Sequence, residues 1–239
     1  MTAAVETMIP APRTKAVRVV EAPIAPRTSA AHIALEVAPA RRPGPAWTVL
    51  NALGALIVLV LLLPVLLAVM ITVKLDGGPI FFRQNRVGLD GRDFGMIKFR
   101  SMVVDAEAKL AALHAANDGA GPLFKMRNDP RITAVGGFLR KYSLDELPQL
   151  FNVLAGTMLL VGPRPALRCE VGHYCPTAAR RLLVKPGMTG LWQVSGRSDL
   201  GWDESIALDA TYVDSWSPLL DAKILAKTVG VVVKGGGAY

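Results

Sequence analysis

The chain has 239 residues, 51% of them apolar and 19% charged, with a formal charge of +8 from 27 Lys and Arg against 19 Asp and Glu. That length allows one domain with a core and a small appendage. The basic balance suits phosphorylated ligands, anionic lipid or nucleic acid, and the apolar share tilts toward membrane contact. The two cysteines, Cys169 and Cys175, give no disulfide framework. With His173 they form a C-x3-H-x-C cluster, but its spacing differs from known zinc sites, so reduced structural thiols are expected.

Residues 1–45 are rich in Ala and Pro, with scattered arginines. They read as a disordered basic arm drawn to anionic membrane lipid, without the compact apolar core of a secretory signal. No charged residue lies between Arg42 and Lys74, and Leu53 to Val73 is almost purely aliphatic. A bilayer core takes roughly 20 helical residues. Pro64 interrupts the run, where it removes a backbone hydrogen bond and kinks the helix. Basic residues flank both ends (Arg41 and Arg42 before, Lys74, Arg83 and Arg86 after), so charge alone sets no orientation. A re-entrant helix-break-helix over 46–74, entering and leaving by the cytoplasmic face, reconciles these features; a kinked spanning helix is the alternative.

The remainder, 75–239, reads as an α/β domain, mostly helical with a small β-hairpin. Strands are predicted at Pro79–Val87 and Arg92–Met102, joined around Leu89-Asp90-Gly91. Helical spacing follows over Val104–Ala116, then a loop at Gly119–Pro122. Two short helices are expected over Ile132–Tyr142 and Leu144–Leu154. Val161–Pro165 and Lys185–Gly190 read as rigid Pro/Gly loops, and Asp203–Trp216 and Leu219–Val233 as closing helices.

Ser143-Leu144-Asp145-Glu146 fits a capping box, with Ser143 as cap and Glu146 reaching back to it. Asp145 would stand in the first turn, where free N–H groups and the helix dipole hold it ionised, ready to act as a nucleophile or magnesium ligand. Pro148 is an odd choice for a purely structural helix. Arg131, Arg140, Lys141 and Arg164 lie around this pair in sequence. Beside rigid loops, such arginines suit bidentate recognition of phosphate. Gly162-Pro163-Arg164-Pro165 fixes one arginine between prolines, and the glycines of Lys185–Gly190 would let backbone approach a ligand.

Four ordered motifs carry a family resemblance: Lys98-Phe99-Arg100-Ser101-Met102, the block Arg140–Leu154 around Ser143-Leu144-Asp145-Glu146, Val161-Gly162-Pro163-Arg164-Pro165, and Lys185–Arg197. From about residue 47 to 233 the chain closely resembles the bacterial sugar transferases, the monotopic polyprenyl-phosphate phosphoglycosyl transferases that start exopolysaccharide and related glycan assembly. The resemblance implies a hairpin broken at a proline, matched by Pro64. It implies a catalytic dyad matched by Asp145 and Glu146, a phosphate-binding arginine matched by Arg140, a nucleotide-sugar arginine matched by Arg164, and magnesium as cofactor, with Asp145 as its candidate ligand. Lys98, Arg100, Lys185, Gly187, Thr189, Gly190 and Arg197, within the same motifs, are the further candidate substrate contacts. The chain departs from the pattern at Gly156-Thr157-Met158-Leu159, where many relatives have Gly-Asp-Met-Ser; the lost carboxylate puts metal affinity in question. The N-terminal arm leaves no room for the multi-span domain of larger relatives, so a short form is expected.

Residues and resemblance converge on transfer of a sugar 1-phosphate from a UDP-sugar to undecaprenyl phosphate, with release of UMP, through a sugar-phosphoryl Asp145. Glu146 is either a metal partner or a base for the acceptor. The expected setting is the bacterial inner membrane with the catalytic domain facing the cytoplasm; a homodimer is compatible, and no nucleic-acid motif is present. A lipid-binding scaffold, which would release no UMP, and a conventional glycosyltransferase, which would release UDP, are the alternatives. No residue names the sugar.

Overall fold

The computed structural model describes residues 42–113, 126, 128–197 and 200–235. The arm over 1–41, the loop at Gly119–Pro122 and the last residues of the helix expected up to Ala116 lie outside them. Helices dominate, with two small two-stranded sheets.

Helix α1 runs Pro45–Leu61 and α2 Leu63–Leu75, and the two are bent by 68° at Leu62. Pro64 stands one residue inside α2, in its first turn, where a missing N–H breaks no helical bond. Its effect falls on α1, because its ring would crowd the Val60 carbonyl. The break thus lies two residues before the proline that causes it. Among the described residues no single helix is long and apolar enough to cross a membrane; this pair passes that test only together.

One face of the hairpin is core. Ala55, Leu59, Leu66, Val69 and Val73 are buried against Met96, Phe99, Leu139, Leu150, Val153 and Met158. The other face leaves Leu53, Ile57, Val60, Leu61, Leu63 and Ile71 half or more exposed. Asn51, a polar residue inside the apolar run, is buried because both ends of its amide are used: Nδ2 donates to Trp47 O at 2.9 Å and Oδ1 accepts from Leu160 N at 2.9 Å. It locks the hairpin onto the domain at a point where an unpaired amide would be costly.

The predicted β-hairpin forms as β1 (Phe81–Val87) and β2 (Asp93–Phe99), antiparallel, with Phe81 opposite Phe99 and Val87 opposite Asp93. Its turn places Asp90 at φ 54° and Gly91 at φ 73°, conformations that Asp and Gly tolerate best. Helix α3 spans Ala106–Leu113 and α4 Ala134–Lys141, the latter capped by Thr133 Oγ1, which accepts from Gly136 N at 3.0 Å.

The capping box at Ser143 does not form. Ser143 adopts φ 55° and caps nothing, and Leu144–Glu146 is a single 3-10 turn. Pro148 keeps that turn from joining α5, Gln149–Leu154. The segment read as a rigid loop over Lys185–Gly190 contains a short strand, β4 (Gly187–Thr189), which pairs in parallel with β3 (Leu159–Val161), the strand that ends where the other loop begins; Leu159 lies opposite Gly187 and Val161 opposite Thr189. A β-carbon at Gly162 would come within 2.6 Å of Gly187 N, so glycine serves here to bring two backbones together rather than backbone and ligand. After the short helices α6 (Arg168–Val171) and α7 (Pro176–Ala179), the chain closes with α8 (Trp202–Ser215) and α9 (Pro218–Lys234). Tyr212, Val213 and Ile224 pack there on Val161 and Val184.

Candidate active site

A cavity of about 580 Å³ opens between the β-hairpin, the Leu144–Glu146 turn and the Pro163-Arg164-Pro165 loop. Its wall is of mixed character: Phe81, Phe82, Phe99, Met102 and Val104 line it together with Lys98, Arg140, Asp145, Glu146, Arg164 and Arg197.

The carboxyl pKa values of Asp145 and Glu146 are shifted in opposite directions. Asp145 is buried, and burial raises its carboxyl pKa against the opposing pull of Lys98 and Arg140, with Glu146 adding to the rise. The helix-start argument for a firmly ionised Asp145 therefore fails: one 3-10 turn carries little dipole, and desolvation prevails. Glu146 is only partly buried, and Lys98, Arg164 and Arg197 outweigh its desolvation and hold its pKa low. Lys98 Nζ sits 2.7 Å from Glu146 Oε1. The glutamate that would have closed a capping box is thus paired across the cavity with β2.

The basic candidates separate by what their guanidinium groups already hold. Among the described residues, Arg140 and Arg164 make no side-chain hydrogen bond within the protein; Arg164 lies 5.7 Å from the Trp192 ring centroid, a cation–π placement. Arg100 is committed elsewhere. Its Nε donates to Pro79 O at 2.9 Å and its Nη2 to Val73 O at 2.9 Å, so although it borders the cavity it ties the end of the helical hairpin to β2. Arg131 is paired with Asp129. Arg197 reaches the cavity while donating to Ser143 Oγ at 2.8 Å, which explains where the left-handed serine points.

In the Lys185–Gly190 segment only Gly187 lines the cavity together with Met188. Thr189 Oγ1 is 2.8 Å from Thr228 Oγ1 and braces β4 on α9. Gly190 packs against Gly162 O, and Lys185 lies on the far side near Gly156. Gly156-Thr157-Met158-Leu159 is likewise away from the cavity: Thr157 Oγ1 donates to Asn152 O at 3.1 Å and Met158 is fully buried in the core. The absent carboxylate there removes nothing from the site.

Sequence reading missed Gln84, Gln149, Trp192 and Gln193 on the cavity wall. The last three stand inside the quoted motifs, so their position was the available signal. It also missed Arg86, buried beneath the Pro165 carbonyl at 3.1 Å; burial first and the nearby Arg164 second push it down to about 10. Cys169 and Cys175 are free and exposed, and His173 Nδ1 lies 2.8 Å from Cys169 O.

Magnesium asks for little from a protein: one or two carboxylates, with water and substrate phosphates completing the octahedron. Among the described residues no three His, Cys, Asp or Glu side chains converge as a cage. Asp145 and Glu146 are the right donor type and number for a metal delivered with a diphosphate.

A carboxylate pair thus shares one cavity with Arg140 and Arg164, on a domain against which the apolar hairpin of α1 and α2 packs. The chain belongs to the bacterial sugar transferase family, whose model matches residues 46–235. It is 48% identical over 193 residues to a UDP-galactose-lipid carrier transferase of Erwinia amylovora, covering 79% of this chain and 40% of that protein. It is 47% identical over 190 residues to an undecaprenyl-phosphate galactose phosphotransferase of Salmonella typhimurium, covering 77% and 40%. Similarity to the exopolysaccharide production protein ExoY of Rhizobium meliloti is 41% over 194 residues, covering 79% of this chain and 86% of that one. The chain thus spans about two fifths of the first two relatives' length.

Proposed function

We propose that the protein transfers a sugar 1-phosphate from a UDP-sugar to undecaprenyl phosphate, releasing UMP, as the first membrane step of exopolysaccharide or related glycan assembly. The observation that carries this reading is the placement of Asp145 in a cavity with Lys98, Arg140 and Arg164. A buried carboxylate would meet a diphosphate whose charge those cations offset.

In the first step an Asp145 oxygen attacks the phosphorus that bears the sugar. The bond from that phosphorus to the bridging oxygen breaks, and UMP leaves with the electron pair. In the second, an oxygen of the lipid phosphate attacks the same phosphorus, forming the diphosphate and freeing Asp145. Splitting the transfer avoids a direct encounter of two anionic substrates. Glu146, ionised, anchors Lys98 where its ammonium favours the anionic form of Asp145. Arg140 and Arg164 hold phosphate oxygens, and Arg197 and Gly187 border the same space. Magnesium, held by Asp145 and Glu146 with the diphosphate, would supply further charge neutralisation. The apolar lining residues Phe81, Phe82 and Val104 would receive the first isoprenyl units. The outer face of α1 and α2 would rest in the cytoplasmic leaflet of the inner membrane, with the domain on the cytoplasmic side and the basic arm on anionic lipid.

The test is incubation of nanodisc-held protein with a panel of UDP-sugars, magnesium and undecaprenyl phosphate. UMP, not UDP, is expected, and without lipid the peptide containing Asp145 should gain one phosphosugar. Asp145→Asn should abolish both while leaving thermal unfolding cooperative. Substantial turnover by Asp145→Asn with no trapped adduct would replace this mechanism with direct transfer.

A further inference from the structure

The loop that carries Arg164 has its backbone acceptors occupied one after another. Pro163 O accepts from Gly187 N at 2.9 Å, Arg164 O from Arg181 Nη2 at 3.1 Å, Pro165 O from Arg86 Nη1 at 3.1 Å and Ala166 O from Val87 N at 2.8 Å. Two of those donors are buried arginines, and each faces a buried acid. Arg181 Nε lies 2.9 Å from Asp209 Oδ2 and Arg86 Nη1 lies 4.0 Å from Glu170 Oε1. Asp209 also accepts from Arg164 N itself, at 3.4 Å. The cavity side of this loop shows a guanidinium with no hydrogen bond among the described residues; its back is held by charge.

Stability alone does not account for the arrangement. Buried ion pairs return little net stability against their desolvation cost. Here the cost is visible: Asp209 is fully buried, its Oδ1 has no hydrogen-bond partner among the described residues, and burial pushes its carboxyl up to about 6 despite Arg181. What the pair secures is geometric. Arg181 is oriented at three points, by Asp209, by Tyr174 Oη at 2.7 Å and by Arg164 O, so it fixes the peptide plane from which the Arg164 side chain departs.

We propose that Asp209 and Arg181 are positioning residues that set Arg164 for the diphosphate of the nucleotide sugar, acting through the backbone of the Pro163-Arg164-Pro165 loop. This rests on Arg164 contacting the donor, as read above. It assigns a role in donor recognition to α8 and to the 3-10 turn Arg180–Leu183, neither of which lines the cavity.

A double-mutant cycle on the full chain in nanodiscs tests it, with the Kd for UDP and kcat/KM for UMP release as readouts. Binding of UDP reads the cradle whether or not turnover is fast. Arg164→Ala should weaken both by roughly ten- to a hundredfold, the scale of lost charge-assisted hydrogen bonds. Asp209→Asn should cost up to about 10²-fold through displacement of the guanidinium. The double variant should be no worse than Arg164→Ala within about twofold, because both act through one side chain. Lys141→Ala, on the exposed end of α4, should change neither readout by more than about twofold. Additive losses, or wild-type values for Asp209→Asn, overturn the proposal and leave the donor role of Arg164 standing. Wild-type values for Arg164→Ala overturn both. Should Asp209→Asn fail to fold, Arg181→Lys enters the same cycle: it keeps the charge opposite Asp209 but loses the nitrogen that reaches Arg164 O.

Discussion

Asp145 and Glu146 are neighbours in the chain, yet their carboxyl groups are driven in opposite directions. Asp145 points into a buried position with its pKa raised, and Glu146 is held ionised by Lys98. If Asp145 is the nucleophile, its raised pKa places the acid limb of kcat/KM above the range of an ordinary aspartate, since that limb reports the free enzyme's essential base. Lys98 opposes the rise, so Lys98→Met should move the limb to still higher pH and lower the rate at neutrality. A pH profile of UMP release checks this. An unmoved limb with a uniformly lowered rate would assign Lys98 to substrate binding alone. The split was not legible in the S-x-x-E pattern, which points to a helix cap. The partner that overrides it, Lys98, lies 48 residues away on β2.

At the scale of elements, the bend between α1 and α2 follows from one proline acting backwards. Pro64 fits the first turn of α2 and is incompatible with continuing α1. Pro64→Leu restores both the N–H and the space for the Val60 carbonyl, so the 68° bend should relax toward one continuous helix. In a bilayer such a helix would be long enough to span it. Cysteines at Pro45 and Gly78 should then be labelled from the cytoplasmic side in the wild-type background and from opposite sides in Pro64→Leu. Same-side labelling in both would mean that packing of Ala55, Leu59, Leu66 and Val69 on the domain, rather than the proline, holds the hairpin shut.

Across the whole molecule, one carboxylate joins the start of the hairpin to the closing helices. Asp221 accepts from Trp47 Nε1 at 3.0 Å, Tyr212 Oη at 2.8 Å and Trp216 Nε1 at 3.3 Å, linking α1, α8 and α9. Burial raises its pKa against the hydrogen bonds of Tyr212, Trp216 and Trp47. The folded state therefore binds the proton more tightly than the unfolded chain. The resulting stability is present below the unfolded value, about 3.9, and is lost as pH rises through the higher folded value. Asp221→Asn keeps an acceptor for the indoles, and its amide can donate to Tyr212 Oη, whose hydroxyl also reaches Val161 O at 3.2 Å. Its Tm should equal or exceed that of wild type at neutral pH, and any advantage should shrink toward pH 4. Asp221→Ala, which leaves three donors without an acceptor, should lose about 1–3 kcal/mol or more. A Tm for Asp221→Asn as low as that of Asp221→Ala would show that the anion itself is required.

Local rules determined much from sequence alone: the apolar hairpin and its break near Pro64, the β1–β2 pair with its Asp-Gly turn, helices α8 and α9, and the motifs that contain the Asp145-Glu146 pair. Each depends on residues close in the chain, through periodicity, turn chemistry or a proline's missing N–H. The pairing of β3 with β4 was hidden because three-residue strands carry almost no pattern, and their contact is made possible by Gly162 and Gly187 meeting across the fold. Tertiary structure also decided which arginines have their N–H groups claimed by the protein. Arg100 and Arg164 are the same residue type in two of the four motifs, but the carbonyls of Val73 and Pro79 fold around one while the other has its backbone gripped from behind by Arg181 and Asp209. A guanidinium's chemistry depends on what has already claimed its five N–H groups, and only the folded chain brings those claimants together.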